Sequence, residues 1–138
     1  MSADVFLDTC VVTYAFVSSD FRQKRSLEIL AGGGVVSVQV LNEFANICRR
    51  KLLLDWHETV GALEAVKVCC QHPIPLTQAV HEEGVRLARR YGFNIYDGLI
   101  IAAAIEAECT TLLTEDLQHG QAVEGVRIEN PFLTVGMP

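Results

Sequence analysis

The stretch IYDGLIIAAAIEAECTTLLT, residues 95–114, decides the fold. Its first part, IYDGLIIAAAIEAEC, is apolar nearly all round, the mark of a helix buried on every side. TTLLT then reads as a strand. The same alternation runs along the whole chain. DVFLD, near the amino terminus, reads as a strand and TCVVTYAFVS as a helical segment. KRSLEILAGG places Leu27, Leu30 and Ala31 at helical spacing and closes on Gly32 to Gly34. VVSV is a short β-branched strand. QVLNEFANICRRKLL sets Val40, Leu41, Phe44 and Ile47 on one stripe of an amphipathic helix. DWHETVGALEAVKVCC is a further helix, capped by Asp55, and HPIPL a short extended piece. Thr77 opens a helix to Tyr91 with Val80, Gly84, Leu87 and Tyr91 inward. EDLQHGQAVEG reads as a loop and VRIEN as a last strand. Strands alternating with helices predict an α/β fold, three layers α/β/α around a central parallel sheet of about four to five strands.

Composition is consistent with one domain over residues 1–138. Half of the residues are hydrophobic, enough for one core and too short a chain for two typical ones. No apolar run approaches the roughly 18 residues that cross a bilayer, and MSADVFLD lacks the basic start and apolar core of a signal peptide. The five cysteines, at 10, 48, 69, 70 and 109, form no C-x-x-C pair. An odd count without that spacing predicts buried thiols in a reduced, cytoplasmic protein rather than a disulfide framework or zinc site.

In parallel sheets ligands sit beyond the carboxyl ends of the strands, and carboxylates collect there. Asp8 ends the first strand, Glu43 borders the apolar stripe of the helix after VVSV, Asp97 opens the buried helix, and Asp116 follows TLLT. Singly, Asp8 and Asp97 read as helix caps, Glu43 as a surface residue and Asp116 as a loop residue. Together they would repel one another unless a cation neutralises them. An all-oxygen set suits a hard ion such as Mg²⁺ or Mn²⁺.

The formal net charge of −6 argues against a nucleic-acid partner, but its distribution does not. Nine of the 11 basic residues fall in three clusters: Arg22, Lys24, Arg25; Arg49, Arg50, Lys51; and Arg86, Arg89, Arg90. Any one of them reads first as a solvated helix face, with a track for phosphates as the alternative. Tyr14, Phe16 and Trp56 are candidates for stacking on bases, with the core as the expected place for each. His119 is a candidate phosphate contact, with a backbone hydrogen bond as the ordinary alternative.

FLDTCVVTYAF, VVSVQVLNEFANICRRKL, GFNIYDGLIIAAAIEAECTTLLTEDLQHG and VRIENPF resemble the PIN domain, in particular the VapC-type toxins of bacterial toxin–antitoxin pairs. The resemblance covers almost the whole chain. It implies a Mg²⁺- or Mn²⁺-dependent endoribonuclease with Asp8, Glu43, Asp97 and Asp116 as acidic quartet, leaving a 5′-phosphate and a 3′-hydroxyl. It also implies a small antitoxin partner and a homodimer, for which WHETVGALEAVKVCC supplies spare apolar helix. Thr114 stands where relatives carry Ser or Thr and supports the quartet from behind. Cys10 departs from the Asn or other small polar residue usual two places after the first Asp. Asn94 stands where many relatives have Ser, and Gly98 where most have Ala. Arg49, Arg50, Arg86, Arg89 and Arg90 are the candidate RNA contacts.

Two other classes meet the same residues. A phosphoryl-transfer protein also clusters Asp around Mg²⁺ at strand ends, but it needs a Lys near the last strand, and none lies beyond Lys67. A non-catalytic module binding RNA or a partner protein would keep the fold without needing an intact quartet.

Overall fold

The computed structural model describes residues 4–133; the first three residues, which begin the stretch read above for a signal peptide, and the last five lie outside it. Ten elements follow in order: β1 (Val5–Leu7), α1 (Thr9–Tyr14), α2 (Gln23–Ala31), α3 (Val38–Arg50), α4 (Trp56–Cys69), α5 (Gln78–Tyr91), α6 (Ile95–Glu106), β2 (Thr111–Leu113), β3 (Ala122–Val123) and β4 (Val126–Glu129). The strands form one sheet in the order β1-β2-β4-β3. β1, β2 and β4 are parallel, with Phe6 opposite Leu112 and Leu112 opposite Ile128, whereas β3 is antiparallel to β4. The fold is α/β with a mostly parallel sheet, as expected.

Two pieces differ from the sequence reading. VVSV makes only single bridges, Val35 to Phe6 and Ser37 to Ile74, so it extends the sheet edge beside β1 without becoming a full strand. The segment read as a loop contains β3, joined to β4 by Glu124–Gly125. Both turn residues have positive φ, 48° and 91°, the backbone that a two-residue hairpin requires.

The helices begin and end where local chemistry dictates. Ser37 caps α3 by accepting from the Val40 N–H, and Thr77 caps α5 through the Val80 N–H. Asp55 and Glu58 form a reciprocal capping box on α4. Gly92, at φ 77°, closes α5 in the left-handed conformation. Packing then follows periodicity: Val40 and Phe44 of α3 and Leu87 of α5 are wholly buried, and α6 is buried continuously from Gly98 to Ala104. α2 turns its face by one position from expectation. Ser26, Ile29 and Leu30 face the core while Leu27 and Ala31 are exposed.

The α5–α6 contact is close. A Cβ on Gly98 would lie 2.3 Å from the Gly84 carbonyl oxygen, and one on Gly84 would lie 2.7 Å from the Leu99 side chain. The absence of side chains on both glycines therefore sets how near the two helices pack, and so places the first turn of α6. No helix among the described residues is long and apolar enough to cross a membrane.

Candidate metal centre and nucleic-acid interface

β1 and β2 run side by side, so residues 8 and 114 emerge together at the carboxyl edge of the sheet. Asp8 serves there in two ways. It is the cap of α1, its Oδ1 accepting from the Thr9 N–H at 2.7 Å, and its Oδ2 accepts from the Thr114 hydroxyl at 2.7 Å. Only 4% of Asp8 is exposed. Burial outweighs these hydrogen bonds and pushes the Asp8 carboxyl up to about 6, with the negative charges of Asp116 and Glu43 acting in the same direction. Wholly buried Thr114 also accepts from the Asp116 N–H at 3.1 Å. One hydroxyl thus ties the Asp8 carboxylate to the main chain at Asp116.

The other two carboxylates come from helices. Glu43, on α3, is held at both oxygens: the Thr9 hydroxyl donates to Oε1 at 2.7 Å and the Gln39 amide to Oε2 at 2.8 Å. Asp97 lies in the first turn of α6. Asn94 caps that helix through the Asp97 N–H at 2.9 Å and donates from its own amide to the Asp97 carboxylate at 3.0 Å. Asp8, Glu43, Asp97 and Asp116 all line one open cavity of about 800 Å³. Desolvation raises Asp97 and Asp116 above the usual carboxylate range; Asp116 and Glu43 repel Asp97, and Glu115 and Glu43 repel Asp116. These are acceptors crowded against their own charge, held in place by neutral donors, and an all-oxygen set of this kind fits a hard divalent cation.

Three possible ligand atoms, from Asp8, Cys10 and Asp116, lie within 4.8 Å of one another. Cys10 is not a free thiolate there. Burial and the adjacent Asp8 push its thiol far up, so it stays protonated, 3.7 Å from the Thr114 hydroxyl and within 4.8 Å of Asp116.

Residues 5–124 match the profile of the PIN domain. The chain belongs to the PIN domain family. In fold it is similar to a chain in the crystal structure of VapBC2 from Rickettsia felis bound to a DNA fragment from their promoter. The TM-score is 0.65 over 91% of this chain and 97% of that one, at 21% identity. Among curated proteins none matches the sequence significantly.

Several residues have roles at this PIN domain's cavity that the sequence did not assign to them. Glu115 is a fifth carboxylate on the wall. It accepts from the Tyr14 hydroxyl and pairs with Arg22 at 2.9 Å, while Arg22 also grips Asp20 at 2.7 Å and lies 3.9 Å over the Tyr14 ring. Lys51, rather than Arg49 or Arg50, lines the cavity and attracts Asp116. Thr9, Gln39 and Asn94, which orient the carboxylates, are ordinary hydrogen-bonding residues in the sequence, and only the cap position of Asn94 offered a signal.

The basic clusters separate. Arg49 and Arg50 border a second depression that shares Asn42 and Asn46 with the carboxylate cavity. Arg86, Arg89 and Arg90 border a different one, on α5, and none of them lines the carboxylate cavity. Arg86 is moreover engaged by Glu83 and by Glu124 at 2.6 Å. Glu124 belongs to the turn at the amino end of β4, whereas Asp8 and Thr114 follow the carboxyl ends of β1 and β2. His119 accepts from the Asn130 N–H at 2.9 Å, the ordinary backbone role, and does not line the cavity. Phe16 packs on Phe44 at 5.2 Å and Tyr14 on Phe132 at 5.4 Å. Trp56, expected in the core, is 62% exposed.

Proposed function

We propose that this PIN domain is a divalent-metal-dependent endoribonuclease, the toxin of a VapC-type toxin–antitoxin pair acting in the cytoplasm. One observation carries the reading: four carboxylates from four separate segments converge on one cavity, and burial, with neighbouring negative charge adding to it, raises three of them above their usual pKa. A non-catalytic module has no use for such an arrangement, which costs stability unless a cation offsets it.

Asp8, Asp97 and Asp116 would hold Mg²⁺ or Mn²⁺, with Glu43 beside them. When bound, the ion offsets phosphate charge and makes hydroxide available near neutral pH. The chain does the rest. Thr114 keeps Asp8 and Asp116 in register, and Asn94 fixes Asp97 at the start of α6. Glu43, braced by Thr9 and Gln39, would either hold a second ion or orient the attacking water. Lys51 supplies the positive charge on the cavity wall that a polyanion needs to approach five carboxylates. The protonated Cys10 thiol, beside Thr114, Asp8 and Asp116, would take the place of the small polar residue usual at this position.

The similar structure, VapBC2 from Rickettsia felis bound to a DNA fragment from their promoter, supports a small DNA-binding antitoxin as partner for this chain. α4, with Val60 and Val68 more than half exposed, offers apolar surface for a homodimer. Calorimetric titration with Mn²⁺ tests the centre. The parent chain is expected to bind and Asp97→Asn to bind at least tenfold more weakly; equal binding would remove Asp97 from the site.

A further inference from the structure

We infer that the groove formed by Asn42, Asn46, Arg49, Arg50 and Trp56 is a subsite for an unpaired nucleotide of single-stranded RNA flanking the scissile phosphate. The inference deepens the nuclease reading and rests on it. Asn42, Asn46 and Arg49 or Arg50 recur every three to four residues along α3, so they form one stripe on its outer surface. The stripe runs about 12 Å at helical rise. Its inner end, Asn42 and Asn46, belongs also to the carboxylate cavity. Its outer end is Arg49, Arg50 and Trp56. The polarity therefore changes from carboxylates through neutral amides to guanidinium groups, an order suited to an RNA strand leaving the metal centre.

Trp56 completes the subsite. It opens α4 at the edge of this groove, and 62% of it is exposed. The Arg49 guanidinium lies 4.7 Å over the ring and is itself anchored to the Leu54 carbonyl at 2.8 Å. Arg49 thus props the indole from one side and leaves much of the ring open. An exposed aromatic ring beside Arg is the platform on which proteins stack bases of single strands, whatever their sequence. Asn42 and Asn46 offer amide donors and acceptors to the edge of a splayed base. A duplex, its bases already stacked and paired, offers nothing to this ring. The same Trp–Arg pair also suits a protein interface; continuity with the carboxylate cavity favours RNA.

Trp56 is the only tryptophan of the chain, so its fluorescence reads the subsite directly. The intact protein in EDTA would be titrated with short oligoadenylate and, separately, with an RNA duplex of the same length. Anisotropy of labelled RNA measures affinity in parallel. Saturable quenching by the single strand and none by the duplex is expected. Trp56→Leu, which keeps an apolar side chain, and Arg49→Ala should each weaken single-strand binding by about fivefold to a hundredfold, the range a base–aromatic stack supplies. Neither should change Mn²⁺ affinity, which reports an intact cavity. The inference is overturned if RNA fails to bind, if it binds without quenching, or if Trp56→Leu binds like the parent. It is equally overturned if Trp56→Leu abolishes self-association in light scattering while RNA affinity stays unchanged. Mn²⁺-dependent cleavage by the parent is scored separately. Quenching without cleavage would retain the subsite and reject the nuclease, and cleavage indifferent to Trp56 would do the reverse.

Discussion

Replacing Asp8 by asparagine removes one charge from the middle of the cavity with little change of shape. In the native chain the Asp8 carboxyl is displaced from its ordinary 3.8 to about 6, chiefly by burial. The folded state therefore holds this proton more tightly than the unfolded state does. Its contribution to stability is complete below about pH 4 and is lost as pH rises through about 6. A displacement of about two pH units corresponds to about 3 kcal/mol. The substituted amide can still accept from the Thr9 N–H through its oxygen, and its NH₂ can donate to the Thr114 hydroxyl, which turns its own proton elsewhere. Asp8→Asn is thus expected to melt higher than the parent above neutrality in EDTA, by roughly 10 °C for a domain of this size. The gap should close as pH falls toward 4. Excess Mn²⁺ should reverse the order, because it stabilises the parent by binding and the variant has lost a ligand. Thermal unfolding followed by circular dichroism across this pH range, with EDTA and with Mn²⁺, measures all three effects. A variant less stable than the parent above neutrality in EDTA, or a gap independent of pH, would refute the claim that Asp8 is strained by its own charge.

Gly98→Ala would drive a methyl group to 2.3 Å from the Gly84 carbonyl. Separating α5 from α6 should cost about 1–3 kcal/mol in urea unfolding and weaken Mn²⁺ binding through neighbouring Asp97; an unchanged midpoint would contradict the close packing. The double variant Arg49, Arg50→Ala should weaken binding evenly across RNA sequences and reduce its salt slope by about 2. The triple variant Arg86, Arg89, Arg90→Ala should leave the slope unchanged, because Arg86 is engaged by Glu83 and Glu124 and the trio lies outside the cavity.

The fold was legible where a pattern runs long enough to declare its period. α3 and α5 show one apolar stripe each, and α6 shows none because it is buried on all sides. β3 was not legible: two residues carry no alternation, and its turn is Glu124–Gly125 rather than the commoner Asn-Gly. α2 misled because Ser26, a polar residue, is wholly buried while Leu27 is 48% exposed, so hydrophobicity alone selected the wrong face. The meeting of four carboxylates at one cavity was legible because ionisable groups beside apolar strands and helices are conspicuous. Of its supports only Thr114 was, through the family resemblance. Thr9, Gln39 and Asn94 act through hydrogen bonds whose partners lie across the chain or one turn away, and neutral polar residues occur everywhere on surfaces. Trp56 shows the opposite error, an aromatic residue assigned to the core because most are buried. Arg86 shows that three basic residues in one cluster mean little until their acidic neighbours are known.

Whether these carboxylates constitute a metal-dependent nuclease centre is decided by single-turnover cleavage of single-stranded RNA by the purified chain in Mn²⁺, in EDTA, and in Mn²⁺ with Asp116→Asn. Cleavage in Mn²⁺ that leaves 5′-phosphate ends, stops in EDTA and falls at least a hundredfold in Asp116→Asn, while RNA affinity is largely kept, is the predicted result. Cleavage that persists in EDTA, or that is the same in Asp116→Asn as in the parent, would contradict it.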